Sequence, residues 1–115
     1  MRLPRQIPYA MAMEILLTGQ LISAQRALSC GFLNYVVKKE EVLPTAMKLA
    51  RTIAENGATA VKWIRKSAKA CIGLTEAEGM KVEEEMALPV VSHPDAIEGP
   101  KAFKEKRQPS WVAKL

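Results

Sequence analysis

The chain has 115 residues, of which 49% are hydrophobic and 25% charged, and its net charge is +5 at pH 7. These fractions argue against disorder, and a chain of this length predicts one domain that buries roughly 60 to 70% of its unfolded surface. The positive charge favours an anionic partner, and nucleic acid, a membrane surface and a phosphate-bearing small molecule all fit it.

The cysteines and the hydropathy pattern indicate the cellular setting. Cys30 and Cys71 lie far apart, without metal-type spacing or a disulfide framework, so we expect reduced thiols in the cytoplasm. No run approaches the roughly 20 apolar residues that a membrane span needs. The first apolar run contains Glu14 and differs from a secretion signal, so we expect a protein that is soluble and not exported.

The first third of the chain predicts two helices and one strand. Apolar residues recur from 9 to 17 at the spacing of a helix face that meets a core, and Gly19 ends this helix. Ser23 is the expected N-cap of a short helix that Gly31 stops. Phe32 to Val37 is aromatic and β-branched and predicts a strand. One strand cannot form a sheet, so its partner must belong to another chain or to a missing part of this one.

Helical periodicity then returns. Residues 43 to 54 share an apolar face, and Asn56-Gly57 is a stop signal. The next helix is expected to bury one side, made of Val61, Ile64, Ala68 and Cys71. Its basic residues are interpreted as a solvated face rather than a nucleic-acid footprint; they are Lys62, Arg65, Lys66 and Lys69.

A further helix is predicted after Gly73. Thr75 and Glu78 have the spacing of a capping box, in which each side chain accepts from the backbone N–H of the other residue. A narrow apolar seam follows at Val82, Met86 and Val90. Pro89 is expected to kink or end this helix, because proline lacks a backbone donor.

The stretch from Asp95 to Trp111 carries the clearest functional signal. Asp95 and Glu98 open a helical turn that Gly99-Pro100 interrupts. A cationic cluster follows, made of Lys101, Lys104, Lys106 and Arg107. Phe103 precedes Lys106 by three positions, which predicts that ring and ammonium share a helix face suited to an adenine and its phosphates. A packed phenylalanine beside a solvated lysine fits this spacing equally well.

The residues of a self-contained active site are missing from the sequence. His93 is the sole histidine, and its position before a helix predicts a solvated or capping side chain. No metal-ligand cluster, phosphate-binding glycine loop or nucleophile with its base can be recognised. We therefore predict no catalytic residue and no metal site in this chain.

Three motifs, in order and spacing, resemble the C-terminal part of the enoyl-CoA hydratase/isomerase (crotonase) family: LPRQIP, EILLTGQLISAQRALSCGFLNYVV and DAIEGPKAFKEKRQPSW. The resemblance implies a mainly α fold, namely the helical trimerisation and lid region of a crotonase-type protein, with one short strand near Phe32 to Val37. Residues 1–115 then form a single C-terminal helical region, without the family's N-terminal core of ββα units. His93 departs from the family, which usually has Ser or Thr two residues before the Asp of the DxxEG motif.

The resemblance also implies a function. Family members process acyl-CoA thioesters, commonly by hydration or dehydration at a 2,3 double bond, and need no further cofactor. Phe103 and Lys106 match family residues that reach the CoA part of a ligand, often one bound in a neighbouring subunit. The family's oxyanion-hole loops and catalytic carboxylates belong upstream of the LPR motif. The ending resembles carnitinyl-CoA dehydratase-like members without fixing the substrate.

Three hypotheses follow from these patterns. The first is the C-terminal part of an acyl-CoA enzyme that is inactive alone and that, in its full-length form, is a homo-oligomer, a trimer or a dimer of trimers. The second is a free-standing oligomerisation or CoA-binding module without catalysis. The third is a small basic nucleic-acid binder, which lacks the aromatic interleaving that base stacking requires. We favour the first, with an acyl-CoA substrate and neither nucleic acid nor a membrane as partner.

Overall fold

The structure, a computed structural model, describes residues 2 to 112. Within that range the chain forms six α-helices: α1 (Tyr9–Thr18), α2 (Ala24–Ser29), α3 (Val42–Ala54), α4 (Ala58–Ala70), α5 (Glu76–Val91) and α6 (Asp95–Lys104). Short 3-10 helices occupy Leu3–Arg5 and Lys39–Glu41. The predicted mainly α fold class is confirmed. No helix of the described part is long and apolar enough to cross a bilayer.

The chain divides into two compact units, Met1–Pro44 and Thr45–Leu115. In the first unit, α1 contacts the 3-10 helix that precedes it. The hydroxyl of Ser23 accepts from Arg26 N–H at 3.1 Å, which confirms the predicted N-cap of α2. The Arg26 guanidinium also binds Glu14 on α1 through two bonds of 2.8 and 2.9 Å. This exposed ion pair joins the two helices.

The strand predicted at Phe32 to Val37 does not form. The N–H groups of Phe32 and Leu33 both donate to the carbonyl of Ala27, at 2.9 and 3.3 Å, and so complete the end of α2. A strand exists only when a neighbouring strand accepts its hydrogen bonds, and the described part of the chain contains no strand. The prediction of a strand at Phe32 to Val37 is therefore wrong for the described part of this chain.

In the second unit, α5 contacts both α4 and α6. Its start is the predicted capping box: Thr75 N–H donates to Glu78 Oε2 at 2.9 Å, and Glu78 N–H donates to Thr75 Oγ1 at 3.4 Å. The hydrogen bond from the Thr75 hydroxyl lowers the pKa of Glu78. The helix does not end at Pro89 but continues to Val91. Proline removes one bond near the end of α5, and Ser92 N–H still donates to the carbonyl of Leu88.

Most of the apolar residues are exposed. The buried apolar residues of the described part are Ile7, Ala12, Ala27 and Ala102. Ile64, predicted to be buried, is 67% exposed, and the α1 residues Tyr9 and Leu17 are 68% and 77% exposed. The burial predicted for Ile64 is wrong for the described part of the chain, because helical periodicity identifies the face to be covered without specifying what covers it.

Candidate functional site

The side chain of His93, one residue before the N-cap Pro94, binds the first backbone N–H of helix α6. The N–H of Asp95 donates to Nδ1 of His93 at 3.2 Å, and the N–H of Ala96 donates to the His93 carbonyl at 2.9 Å. The capping role predicted for His93 is confirmed. The helix then continues through Gly99-Pro100 to Lys104, so the interruption predicted there is wrong.

Asp95 connects the start of α6 to the C-terminal tail. Its side chain is only 9% exposed, and Oδ1 accepts from the N–H of Val112 at 2.9 Å. The second oxygen, Oδ2, lies 3.3 Å from Nδ1 of His93 and has no hydrogen-bond donor among the described residues. The carboxylate therefore acts as a tether for the backbone and points away from solvent.

Glu98 binds the tail more extensively. Its carboxylate accepts from both terminal nitrogens of Arg107, at 2.6 and 3.0 Å, and from the N–H of Ser110 at 2.7 Å. These bonds lower the pKa of Glu98 from 4.5 to about 2; the guanidinium of Arg107 has the largest effect and the backbone N–H of Ser110 the next. The arrangement is a bidentate ion pair, the strongest form of arginine–carboxylate contact.

Trp111 completes the attachment of the tail. Its indole N–H donates to the carbonyl of Glu55 at 2.7 Å. The ring lies between two glycines: a Cβ added at Gly57 would be 3.4 Å from the ring, and one added at Gly99 would be 3.5 Å from it. We call Asp95, Glu98, Arg107, Ser110 and Trp111 the clasp, because together they fasten the tail to α6 and to the α3–α4 turn.

The two predicted CoA-binding residues lie at the end of α6. The helix ends at Lys104, so Lys106 lies beyond it, and the prediction that Lys106 and Phe103 share a helix face is wrong. The N–H of Lys106 donates to the carbonyl of Phe103 at 3.2 Å, and that of Arg107 donates to the carbonyl of Ala102 at 3.1 Å. This pair of bonds is a Schellman motif, whose turning residue is usually glycine.

Lys106 occupies that turning position, and its φ is 53°. It is the only non-glycine residue of the described part that has a positive φ. The left-handed conformation costs a lysine roughly 1 to 2 kcal/mol. Phe103 is 87% exposed on the last turn of α6. The site therefore presents a bare phenyl ring and a lysine held in an unfavourable backbone conformation.

The four cations of the predicted anion site have different roles. Arg107 is bound to Glu98 and, through Nε, to Glu105 at 2.6 Å. Within residues 2 to 112, no carboxylate lies within ion-pair distance of the three lysines, which are Lys101, Lys104 and Lys106. The predicted anion site therefore retains its lysines, whereas Arg107 is a structural residue.

Sequence reasoning did not predict a groove between α4 and α5. It has a volume of about 380 Å³, and Trp63, Ile64, Met86 and Val90 are among its lining residues. The ammonium of Lys66 lies 4.5 Å from the centre of the Trp63 ring. The groove is apolar and open, and its lining contains no acid–base pair. In the described part of the chain, no group of three or more His, Cys, Asp or Glu side chains is placed to hold a metal ion.

The two glycines beside Trp111 give a matched test of the clasp. Gly57 is the N-cap of α4, where alanine is unfavourable, and its added Cβ would lie 3.3 Å from Asp95 Oδ2. Gly57→Ala is expected to lower the free energy of unfolding by about 1 kcal/mol. An alanine at position 99 lies in a helix interior, and its Cβ makes only ordinary van der Waals contacts. Gly99→Ala is therefore expected to raise the free energy of unfolding by up to about 1 kcal/mol. Urea unfolding of both variants checks the sign, and equal effects would contradict this arrangement.

The acid stability of the chain tests the ion pair of Glu98. The folded-state pKa of about 2 lies below the usual 4.5, so the stabilisation is complete above pH 4.5 and is lost as the pH falls towards 2. Glu98→Gln is expected to be less stable than the starting protein at neutral pH and to lose less stability on acidification. Unfolding curves between pH 6 and 2 measure this, and parallel pH profiles would exclude a role for Glu98.

Comparison with known proteins identifies the class. The chain matches the family described as enoyl-CoA hydratase/isomerase over residues 1–114. It is 40% identical over 110 residues to the enoyl-CoA hydratase EchA19 of Mycobacterium tuberculosis, covering 96% of this chain and 41% of that protein. It is 40% identical over 115 residues to the carnitinyl-CoA dehydratase of Proteus mirabilis, covering 96% of this chain and 44% of that protein.

Comparison with solved structures gives the same class of protein. The enoyl-CoA hydratase of Bacillus anthracis superposes with a TM-score of 0.91 at 35% identity, and EchA1 of Mycobacterium marinum with 0.90 at 37%. This chain is covered to 96% in both, and those chains to 43% and 44%. The chain belongs to the enoyl-CoA hydratase/isomerase family and corresponds to the C-terminal helical part of the crotonase fold, as the three motifs predict. It spans less than half the length of these relatives.

Proposed function

We propose that this chain is the C-terminal part of an enzyme that adds or removes water at the 2,3 double bond of an acyl-CoA thioester, and that it is inactive alone. The family match carries the proposal, together with coverage of only 41 to 44% of the curated relatives. The two named relatives are a hydratase and a dehydratase, which supports this class of reaction. A cytoplasmic location belongs to the same proposal, since Cys30 and Cys71 are free thiols.

The proposed contribution of this chain is binding of the CoA portion. Phe103 offers an exposed flat ring on which an adenine can stack, and Lys106 offers an ammonium without a carboxylate partner among the described residues. Ring stacking and a charge-assisted bond to phosphate are the two interactions that an adenine nucleotide needs. No residue of this chain is assigned a catalytic role.

A second part of the proposal is that the full-length form assembles into a homo-oligomer, a trimer or a dimer of trimers. Its support is the set of exposed apolar side chains, such as Leu17, Ile64 and Ile97. Exposed faces of this kind mark sites of association.

An activity assay tests the division of labour. The chain is fused behind the N-terminal part of the Mycobacterium tuberculosis relative, and hydration of an enoyl-CoA is compared with that by the chain alone. We expect turnover only from the fusion, since one oxyanion donor contributes about 10² to 10³ in rate and acid–base groups a further 10² to 10⁴ or so. Hydration by the chain alone would contradict the proposal.

The alternative is a free-standing oligomerisation or CoA-binding module, which the same exposed apolar faces favour. Sedimentation of the chain alone separates the two. A monodisperse trimer of the chain alone supports the module, and a monomer or a weakly associating mixture supports part of a larger enzyme. A DNA titration without steep salt dependence removes the nucleic-acid hypothesis.

A further inference from the structure

Lys106 lies between two residues that are bound to each other. Nε of Arg107 donates to Oε2 of Glu105 at 2.6 Å, so an ion pair spans Lys106 from the residue before it to the residue after it. The same guanidinium holds Glu98 on α6, nine positions earlier in the chain, through its terminal nitrogens at 2.6 and 3.0 Å. Arg107 therefore holds the residues on both sides of Lys106 in place: it binds Glu105 on one side, and on the other it is itself bound to Glu98 of the helix.

This arrangement explains how a lysine keeps a left-handed backbone. Lys106 has φ of 53°, a conformation that lysine disfavours when unconstrained. The Schellman bonds define the turn, and the bonds of Arg107 to Glu98 and Glu105 oppose its opening. Such strain persists where the surroundings impose it, and it commonly marks a residue that binds a ligand.

We infer that Glu98 and Glu105 are positioning residues for Lys106: by holding Arg107, they fix the turn that directs the lysine ammonium to the phosphates of a CoA thioester. The inference rests on the proposed function, in which Lys106 contacts CoA. Its physical basis is preorganisation, because a turn that is already ordered loses less entropy when the anion binds.

Electrostatics predicts the opposite sign for these residues. Glu98 and Glu105 are two anions close to a site for phosphate, and their removal would by charge alone strengthen binding of CoA. Positioning predicts that their removal weakens binding. The sign of the change therefore separates the two explanations.

The experiment is a double-mutant cycle in the full 115-residue chain. The ¹⁵N-labelled protein is titrated with CoA and the dissociation constant is taken from amide shifts. Lys106→Met is expected to raise the dissociation constant about tenfold through loss of a charge-assisted contact. Glu98→Gln is expected to raise it about threefold when Lys106 is present and to leave it unchanged in the Lys106→Met background.

Two further variants separate positioning from general stability. Glu105→Gln removes only the bridge across Lys106 and is expected to act as Glu98→Gln does. Glu14→Gln breaks the comparable Glu14–Arg26 pair on α1 and α2 and is expected to leave CoA binding unchanged. The Lys106 amide resonance is expected to move in both tail variants before CoA is added.

The outcomes distinguish this inference from the proposed function. If Lys106→Met leaves the dissociation constant unchanged, or the starting chain shows no CoA-dependent shifts, the proposed CoA contact is refuted. If Lys106→Met weakens binding but Glu98→Gln has the same effect in both backgrounds, or strengthens binding, positioning is refuted and the CoA contact stands.

Discussion

Lys106→Gly is expected to make the chain more stable and at the same time a poorer binder of CoA. Lys106 has φ of 53° in the turn that ends α6, where glycine has no steric penalty. Relief of this strain is expected to raise the free energy of unfolding by about 1 kcal/mol. Loss of the ammonium is expected to weaken CoA binding about tenfold.

The opposite signs are what make this substitution informative. If Lys106 has no ligand, glycine is expected to raise the stability and to leave the affinity for CoA unchanged. If Lys106 binds CoA, glycine raises the stability and lowers the affinity. Urea unfolding gives the first quantity and titration with CoA the second. Stability that falls, or affinity that is retained, would contradict the assignment of Lys106 as a strained ligand-binding residue.

Lys104→Gly is the matched control for stability. Lys104 is the last residue of α6 and has helical backbone geometry. Glycine there is expected to lower the free energy of unfolding by up to about 1 kcal/mol, since it loses more backbone entropy than lysine in a helix. The same chemical change two positions apart then gives opposite effects on stability, which isolates the contribution of the left-handed turn.

The features predicted correctly from the sequence are local. Gly19, Gly31 and Gly73 have positive φ at or near the ends of helices, Ser23 caps α2, and Thr75 with Glu78 forms the capping box. Each depends on residues within about four positions of one another, so the sequence contains all the information needed. The same reasoning identified Asp95 and Glu98 as the start of a helical turn.

Several of the features that were missed depend on distant residues. The indole of Trp111 donates to the carbonyl of Glu55, 56 positions earlier, and Glu98 accepts from Arg107 and Ser110, nine and twelve positions later. Periodicity and capping rules contain no information about such pairs. The lysines and the arginine of the cationic cluster look alike in sequence, and only their partners separate them.

The incorrect burial and strand predictions share one cause. The apolar pattern of α1 and α4, and the β-branched run from Phe32 to Val37, describe surfaces that need cover. An apolar pattern shows which surface must be buried, but it does not show which residues bury it. In this chain that source is missing among the described residues, which leaves Leu17 and Ile64 exposed and residues 32 to 37 unpaired.

The DxxEG motif and Arg107 fasten the tail. Asp95 and Glu98 accept backbone N–H groups of the tail, and Arg107 binds Glu98. The side chains of Phe103 and Lys106 take no part in these bonds, although Lys106 directly precedes Arg107 in the sequence. Structural residues and proposed ligand residues therefore alternate along this stretch.

Trp111→Ala is expected to have the largest effect on stability of any single substitution in the tail. The ring packs between Gly57 and Gly99, and its N–H donates to Glu55 at 2.7 Å. Removing a packed tryptophan from a core costs about 3 to 5 kcal/mol, and for this half-buried ring we expect about 2 kcal/mol. Trp111→Phe keeps most of the packing and is expected to cost about 1 kcal/mol, the contribution of one hydrogen bond.

Trp63→Ala is the control. Trp63 lies at an open groove with Lys66 near its ring, so this substitution is expected to lower the free energy of unfolding by less than about 1 kcal/mol. Urea unfolding followed by circular dichroism compares the three variants, since each removes a fluorophore. Trp111→Ala is also expected to be non-additive with Glu98→Gln, because both substitutions release the same tail. Equal costs for the two tryptophans, or strict additivity with Glu98→Gln, would show that the tail is not held as one unit.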